Sequence, residues 1–418
     1  MIGEIIAIGD ELTSGRILNT NSRFAAGQLF AAGHEIIAMA TISDIRAEIG
    51  AAIKKAIKRS DFVIVTGGLG ATSDDLTNEA VASALHRPAT LHPEILARIR
   101  EQLPDSPVKV NATLEKLAWL PAGAEVLKPE ARMAGHLIIH DDTPVFFLPG
   151  VPHEMRELLT ERVIPRLARW KAGATRHVLQ KVYKIFGLAE IEINNMLSHL
   201  EKSDPDLRIG YYPVFPEVHL SLTIIGTEKS RSEKLFISMD QEIQAIMGDN
   251  LLGFDDDTLE SVVGSLLKGK AKTLAVAESC SGGLIAHKIT TVPGSSAYFT
   301  GGVVAYSNDL KTGLLGVDPA IIDKSGAVSG ETARAMALGI CRRTGADIGV
   351  AVTGIAGPDG GTAEKPVGTV YFGLAGENKV IDLCRHFKGD RWKIQEITAQ
   401  TALNLVRLLL LDKQLPSH

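Results

Sequence analysis

Cysteine is scarce in this sequence. Cys280, Cys341 and Cys384 are the three in 418 residues, odd in number and widely spaced. That excludes a disulfide framework and a cysteine-rich metal site, and implies a reducing, cytoplasmic location. No apolar run approaches 18 residues, so no membrane-spanning helix is expected. The N-terminal MIGEIIAIGDEL has no basic segment, and acids interrupt its apolar run. It reads as a strand, not a signal peptide. Neither charge dominates, since 44 Lys and Arg against 49 Asp and Glu leave a net charge of −5. A general affinity for nucleic acid or anionic membrane is thereby excluded. Lys54, Lys55, Lys58 and Arg59 make one basic helix face, read as solvated. With 45% apolar and 22% charged residues the chain is an ordinary globular one, long enough for two or three cores.

Glycine is what the sequence has in excess, 40 residues against an average of about 7%. The glycines cluster where strand-like runs end. Ile5 to Ile8 runs into Gly9-Asp10-Glu11, and Phe62 to Val65 opens into Thr66-Gly67-Gly68-Leu69-Gly70. Val145 to Leu148 is followed by Pro149-Gly150-Val151-Pro152. Helical periods over Asn19–Ala32 and Ile45–Arg59 alternate with these strands. The alternation predicts an α/β fold with a doubly wound parallel sheet, whose ligands sit at the carboxyl ends of the strands.

The pattern changes near residue 172. Strand, helix, two hairpin strands and a second helix over about 80 residues predict a small α+β unit, read as a spacer or assembly module. A third unit, again α/β but with mixed strand directions, begins around Phe254. Its strand Lys272–Ala277 ends in Glu278-Ser279-Cys280-Ser281-Gly282-Gly283, and another opens into the Gly-rich run Thr353–Gly361.

Two constellations carry chemistry. In the first, Thr66 to Asp75 is a Gly-rich turn between a strand and a helix, suited to backbone contact with phosphate. It is neither a Walker A loop nor a dinucleotide fingerprint. Its carboxylates Asp74 and Asp75, with Asp10 at the tip of the first strand, would need a divalent cation between them and a phosphate. Alternatively they cap a helix. In the second, Ser279 sits where a nucleophile is exposed beside backbone N–H groups. No histidine is well placed to activate it. Tyr306 and Lys311 offer a lysine base acting directly or through a phenol. Cys280 is the rival nucleophile, or a small packed residue. A plain N-cap is the other reading of Ser279. The Tyr–Lys spacing differs from that of short-chain dehydrogenases, which argues against hydride transfer. In PGVPHEM (149–155), Glu154 reads as a ligand or as a first-turn helix residue, and His136, His140 and His153 form no metal set.

These motifs resemble those of the CinA family (competence/damage-inducible protein A) along essentially the whole chain. Gly9-Asp10-Glu11-Leu12, Asn19-Thr20-Asn21, TGGLGATSDD at 66–75 and PGVPHEM are similar to its N-terminal molybdopterin-binding-like domain. AESCSGG at 277–283, GVVAYSNDLK at 302–311, TGIAGPDGG at 353–361, KPVGTVY at 365–371 and GDR at 389–391 resemble its C-terminal domain. The resemblance implies three domains, at 1–171, a KH-like linker at 172–253, and 254–418.

It also implies two activities. The C-terminal domain would be a nicotinamide-nucleotide amidase that turns nicotinamide mononucleotide into nicotinate mononucleotide and ammonia. Ser279 would be its nucleophile, Lys311 its base, Tyr306 a relay or stabiliser, and N–H groups near Gly282 and Gly283 its oxyanion hole. Thr353, Gly354, Gly357 and Arg391 would take the ribose phosphate, with no cofactor. The N-terminal domain would hydrolyse ADP-ribose to AMP and ribose 5-phosphate with Mg, Mn or Co, potassium assisting. There Asp10, Asp74 and Asp75 would lie near the metal, Asp10 and Asp74 acting in catalysis. Asn19, Thr66, Gly67, Gly68, Gly70 and Thr72 would line the substrate. A homodimer is implied, without nucleic-acid or membrane partners. Ser281 stands where the family usually has Thr, Ala71 where it has Pro, and Thr13 where Leu is common. A molybdopterin-binding protein and a competence scaffold with one or no active site remain alternatives.

Overall fold

The computed structural model describes residues 1–101, 112–129, 135–170, 176–376 and 379–415. The boundary expected at 171/172 lies outside them. Strands β1 (Ile2–Ile8), β2 (Glu35–Ile42) and β3 (Phe62–Thr66) open the N-terminal domain. A small ribbon of β4 (Ala89–Leu91) and β5 (Trp119–Pro121) follows, then β6 (Glu125–Val126), β7 (His136–His140) and β8 (Thr143–Leu148). The main sheet has the order β2-β1-β3-β8-β7-β6. Its first four strands are parallel, whereas β7 and β6 run antiparallel at one edge. Both faces are covered, because successive residues of one strand enter different cores. Ile6, Ile8, Val63 and Val65 pack with Ile49 and Ile53 on one side. Ile5, Phe62 and Ile64 pack with Leu29, Met155 and Leu158 on the other. Two covered faces are what continuous apolar strands require.

The middle sheet contains β9 (His177–Ile185), β10 (Leu207–Val214), β11 (Glu217–Gly226) and β12 (Leu251–Phe254), in the order β10-β11-β9-β12. Helices Glu190–Leu197 and Lys229–Met247 complete the expected strand-helix-hairpin-helix unit. The chain forms two compact units whose division runs through this region. One is Met1–Gln180 with Thr223–Phe236, the other Lys181–Leu222 with Ile237–His418.

The C-terminal sheet holds β13 (Leu274–Glu278), β14 (Phe299–Val304), β15 (Ile348–Gly354), β16 (Thr369–Gly376) and β17 (Lys379–His386). Their order is β14-β13-β15-β16-β17, parallel across the first three and antiparallel in the last two. One face presents Leu274, Val276, Val350 and Val352 to helices Leu259–Gly269 and Arg391–Leu410. The opposite face presents Ala275, Ala277 and Ala351 to helix Gly330–Thr344, which periodicity had not marked out. Small residues let that helix sit close. A Cβ on Gly373 would lie 2.1 Å from the Ala333 carbonyl oxygen, and one on Gly349 2.4 Å from that of Ala337. No helix among the described residues is long and apolar enough to cross a membrane.

Gly373→Ala should therefore push this helix off its sheet and destabilise the protein by about 1–3 kcal/mol. Urea unfolding measures it, and a midpoint equal to that of the unsubstituted chain would contradict the packing described.

Candidate functional site

Both candidate sites form where parallel strands end, as open α/β sheets dictate. In the N-terminal domain, Gly9-Asp10 follows β1, Ser43-Asp44 follows β2, Gly67 follows β3, and Pro149-Gly150 follows β8. Around them lies a pocket of about 820 Å³. Gly67 (φ 102°) has no room for a side chain, since a Cβ there would meet the Ile8 carbonyl oxygen at 2.2 Å. The backbone N–H groups of Gly68, Leu69, Gly70 and Ala71 donate to no acceptor among the described residues. Such a run of free donors is an anion cradle.

The polar side chains here divide into scaffold and free groups. Thr66 is buried and donates to the Pro149 carbonyl at 2.9 Å, while Asn21 donates to Thr66 and to the Gly150 carbonyl. Asn19 accepts from the Ser22 N–H at 3.0 Å, so it is a helix N-cap instead of a free ligand. Asp75 accepts from the Thr72 N–H at 2.9 Å and from its hydroxyl at 2.5 Å, closing the loop on itself. Neither Asp74 nor Asp75 caps the next helix, which begins at Thr77 after Leu76. Buried acceptor atoms of Asn21 and Glu154, both lining the pocket, have no partner among the described residues.

Asp44 is the residue that sequence reasoning missed here. The Asp10 N–H donates to its carboxylate at 2.9 Å, and the Asp44 N–H returns a bond of 3.1 Å to the Asp10 carboxylate. Burial pushes the Asp44 carboxyl up, and the charges of Asp10, Glu11 and Asp74 add to the effect against the bond from Asp10. The Thr72 hydroxyl and the Lys116 ammonium act on Asp74 and lower its pKa, whereas Asp10 and Asp44 face each other; carboxylate oxygens of this kind suit a hard divalent cation. No three His, Cys, Asp or Glu side chains converge as a ready cage among the described residues. Mg²⁺ is ordinarily held by one or two carboxylates, water and substrate phosphates, so the set fits a cation completed by a phosphate ligand.

In the C-terminal domain, β13 delivers Ser279, β14 leads to Ala305 and Tyr306, and β15 ends in Thr353 and Gly354. Lys311, on the short helix Asn308–Gly313, is only 2% exposed. Its Nζ lies 3.2 Å from Ser279 Oγ, 3.0 Å from the Ala305 carbonyl and 3.3 Å from that of Tyr306. No ion pair reaches it among the described residues, and burial lowers its pKa. A neutral amine has two N–H donors and one lone pair. Two carbonyls and one hydroxyl suit a neutral amine that accepts from the hydroxyl and equally an ammonium that donates to all three.

Ser279 caps no helix, because the following one starts after Gly283. What organises the turn is Glu278, buried and unsuspected from sequence. Its carboxylate accepts from the Ser281 hydroxyl (2.7 Å) and from the N–H groups of Gly283 (3.0 Å), Ile285 (3.0 Å) and Ala286 (2.8 Å). The hydroxyl that Ser281 shares with the more usual Thr thus has a partner. The oxyanion donors expected near Gly282 and Gly283 are correspondingly spent. Gly283 donates to Glu278, and Gly282 to the Ser279 carbonyl at 3.1 Å. The N–H groups of Cys280 and Ser281, directly after Ser279, reach no oxygen acceptor among the described residues; their contact is with the Cys280 sulfur. Cys280 itself is buried, and burial pushes its thiol up to about 12, which removes it as a rival nucleophile.

Tyr306 lies elsewhere than a relay would require. Its side chain is 60% exposed, and its hydroxyl accepts from Arg391 at 3.1 Å while Lys311 reaches Ser279 directly. Arg391 also donates to the Gly357 carbonyl at 2.8 Å. Thr353 spends its hydroxyl on the Ala327 carbonyl, and Gly354 packs against Thr369 and Val370. Beyond them the N–H groups of Ala356, Gly357, Asp359, Gly360 and Gly361 have no acceptor among the described residues.

Comparison with known proteins agrees with this division into domains. Residues 4–169 match the probable molybdopterin binding domain, 180–253 the damage-inducible protein CinA KH domain, and 256–410 the CinA C-terminal domain. A CinA-like protein of Desulfotalea psychrophila is 53% identical over 412 residues, 98% of this chain and 99% of that one. A putative competence-damage inducible protein of Caldicellulosiruptor bescii is 40% identical over 413 residues, 99% of this chain and all of the other. The crystal structure of a competence/damage-inducible protein from Agrobacterium tumefaciens, 41% identical, covers 37% of this chain and 94% of its own, with a TM-score of 0.35. The chain belongs to the CinA family, with its three domains in the family's order.

Removing the Glu278 carboxylate strands one hydroxyl and three N–H groups. Glu278→Ala should cost at least about 2 kcal/mol of stability by urea unfolding. A loss below about 0.5 kcal/mol, the size of an ordinary surface change, would mean that the turn does not depend on Glu278.

Proposed function

We propose that the C-terminal site is a serine amidase acting on nicotinamide mononucleotide. The observation that carries the reading is the buried Lys311 amine 3.2 Å from Ser279 Oγ. Neutral Lys311 takes the Ser279 proton as Oγ attacks the carboxamide carbon. The N–H groups of Cys280 and Ser281 face the developing oxyanion. The Lys311 ammonium then protonates the leaving nitrogen, and ammonia departs from an ester on Ser279. Water cleaves that ester, its proton passing to Lys311 and on to the reforming Ser279 hydroxyl, and nicotinate mononucleotide leaves. Arg391 and the open N–H groups of the 356–361 loop are the phosphate partners, and Tyr306, bonded to Arg391, belongs to that binding side.

The N-terminal pocket takes ADP-ribose in this reading. The N–H cradle of Gly68–Ala71 binds pyrophosphate oxygens, and the orphan acceptors of Asn21 and Glu154 receive donors from the ligand. Asp10 and Asp44 would hold a divalent cation, which when bound would neutralise phosphate charge and activate water, with Asp74 at the end of the phosphate loop. Asp75, tied to Thr72, shapes the loop.

Ammonia release from nicotinamide mononucleotide, without added metal, tests the first activity. Ser279→Ala should lower it at least about a thousandfold. In the unsubstituted protein kcat/KM should rise with pH, because protonated Lys311 cannot accept the serine proton. Burial places that inflection below the ordinary lysine value of 10.5. Full turnover in Ser279→Ala, or a rate that falls as pH rises through the limb, would sink the mechanism.

For the second activity, AMP formation from ADP-ribose should require Mg²⁺ or Mn²⁺ and stop with chelator. Asp44→Asn should cost about 10- to 100-fold, with ammonia release untouched. ADP-ribose left intact under every metal condition would remove the activity altogether.

A further inference from the structure

The middle domain has so far served only as a connector, yet its side chains hold the helix that closes the amidase site. Helix Arg391–Leu410 carries two kinds of contact. Toward the nucleophile, Arg391 reaches Tyr306 and the Gly357 carbonyl, and Gln395 donates to the Cys280 carbonyl at 3.0 Å. The second set comes from β10, β11 and the segment before β12. Phe215, in the two-residue turn Phe215-Pro216 between β10 and β11, packs against Trp392 with ring centroids 5.9 Å apart. Glu217, the first residue of β11, accepts from Gln400 at 2.6 Å. Farther along, the buried Arg407 donates to the Asp249 carbonyl at 2.5 Å, and Lys413 pairs with the Asp249 carboxylate at 3.0 Å.

The helix is thus gripped on three levels by one domain while its first two turns touch the catalytic turn and the phosphate side of the site. Phe215 and Trp392 stay 45% and 58% exposed, so burying them in a core is not what their pairing achieves. Its effect falls on the residue beside Trp392. Arg391 has a long side chain whose rotamer freedom is lost on binding an anion, and a fixed first helical turn removes part of that loss beforehand.

We propose that the β10–β11 hairpin of the middle domain is a positioning element of the amidase. Through Phe215–Trp392 and Glu217–Gln400 it fixes the start of helix Arg391–Leu410, and so presets Arg391 and Tyr306 for the phosphate-bearing half of the substrate. The hairpin touches no reacting atom. It governs substrate affinity and leaves the Ser279–Lys311 chemistry alone. This rests on the amidase reading above.

The test uses the full chain with nicotinamide mononucleotide. Phe215→Ala and Glu217→Ala should each raise KM about three- to tenfold, the fold-change that loss of an aromatic pair or a charge-assisted bond converts to. Their kcat should stay within about twofold, the signature of lost uniform binding. Phe215→Tyr, which keeps the ring, should restore KM, and Phe215→Ala should also change the emission of Trp392. Unchanged KM in both alanine variants would overturn the proposal. So would kcat falling together with thermal stability, with no rescue by Phe215→Tyr, since that marks a purely structural contact. If the unsubstituted chain released no ammonia, the amidase reading would fall and the hairpin's role with it. Turnover by the unsubstituted chain that both variants matched would remove the hairpin's role alone.

Discussion

A lysine buried without a carboxylate is the constraint around which the C-terminal domain is arranged. Taking an ammonium out of water costs several kcal/mol even after relaxation, so the amine is held toward its neutral form. Burial without a counter-charge lowers the Lys311 pKa. It also sets what may surround it: two carbonyl oxygens and one hydroxyl, supplied by Ala305, Tyr306 and Ser279. Those three come from the ends of neighbouring strands, and their meeting depends on the parallel pairing of β13 and β14. Glu278 completes the arrangement by drawing the N–H groups of the next helix onto one buried carboxylate. The helix start is consumed in this way, and the N–H groups of Cys280 and Ser281, beside Ser279, reach no oxygen acceptor among the described residues.

The N-terminal domain solves a related problem by other means. Its loop after β3 leaves four consecutive N–H groups, those of Gly68 to Ala71, without an acceptor among the described residues. Among the acidic residues nearby Asp74 feels the Lys116 ammonium, and the reciprocal bonds between Asp10 and Asp44 hold those two together against their mutual repulsion. One domain thus buries an amine beside a serine hydroxyl, and the other forms an oxygen-lined acidic edge. Both use the carboxyl ends of parallel strands, where backbone groups point outward and loops are free to vary.

Much of this was legible because it is local. Strand runs ending in glycine, and the Ser279, Lys311 and Gly67 positions, follow from short-range pattern and from resemblance to a family. Residues whose meaning depends on a distant partner were not. Asp44 follows β2 with no glycine to mark it, and only the pairing of β1 with β2 brings it to Asp10. Glu278 resembles the end of a strand until the helix behind it is in place. Asn19 and Thr72 look alike in sequence as loop polar residues, yet Asn19 accepts from the Ser22 N–H and Thr72 donates to the Asp75 carboxylate. Helix Gly330–Thr344 went unmarked although Ala333, Met336, Ala337 and Ile340 recur at helical spacing on its buried face. The contact of Phe215 with Trp392 spans too much sequence to leave any local signal.

The central claim is that Ser279 carries the acyl group during turnover. Rapid acid quench with nicotinamide mononucleotide, followed by digestion and mass spectrometry, tests it most directly. The peptide containing Ser279 should carry an adduct equal to the substrate less ammonia, located on the Ser279 side chain and absent from Ser279→Ala. An adduct on Cys280, or ammonia release with no covalent species at any quench time while Ser279→Ala still turns over, would contradict the account.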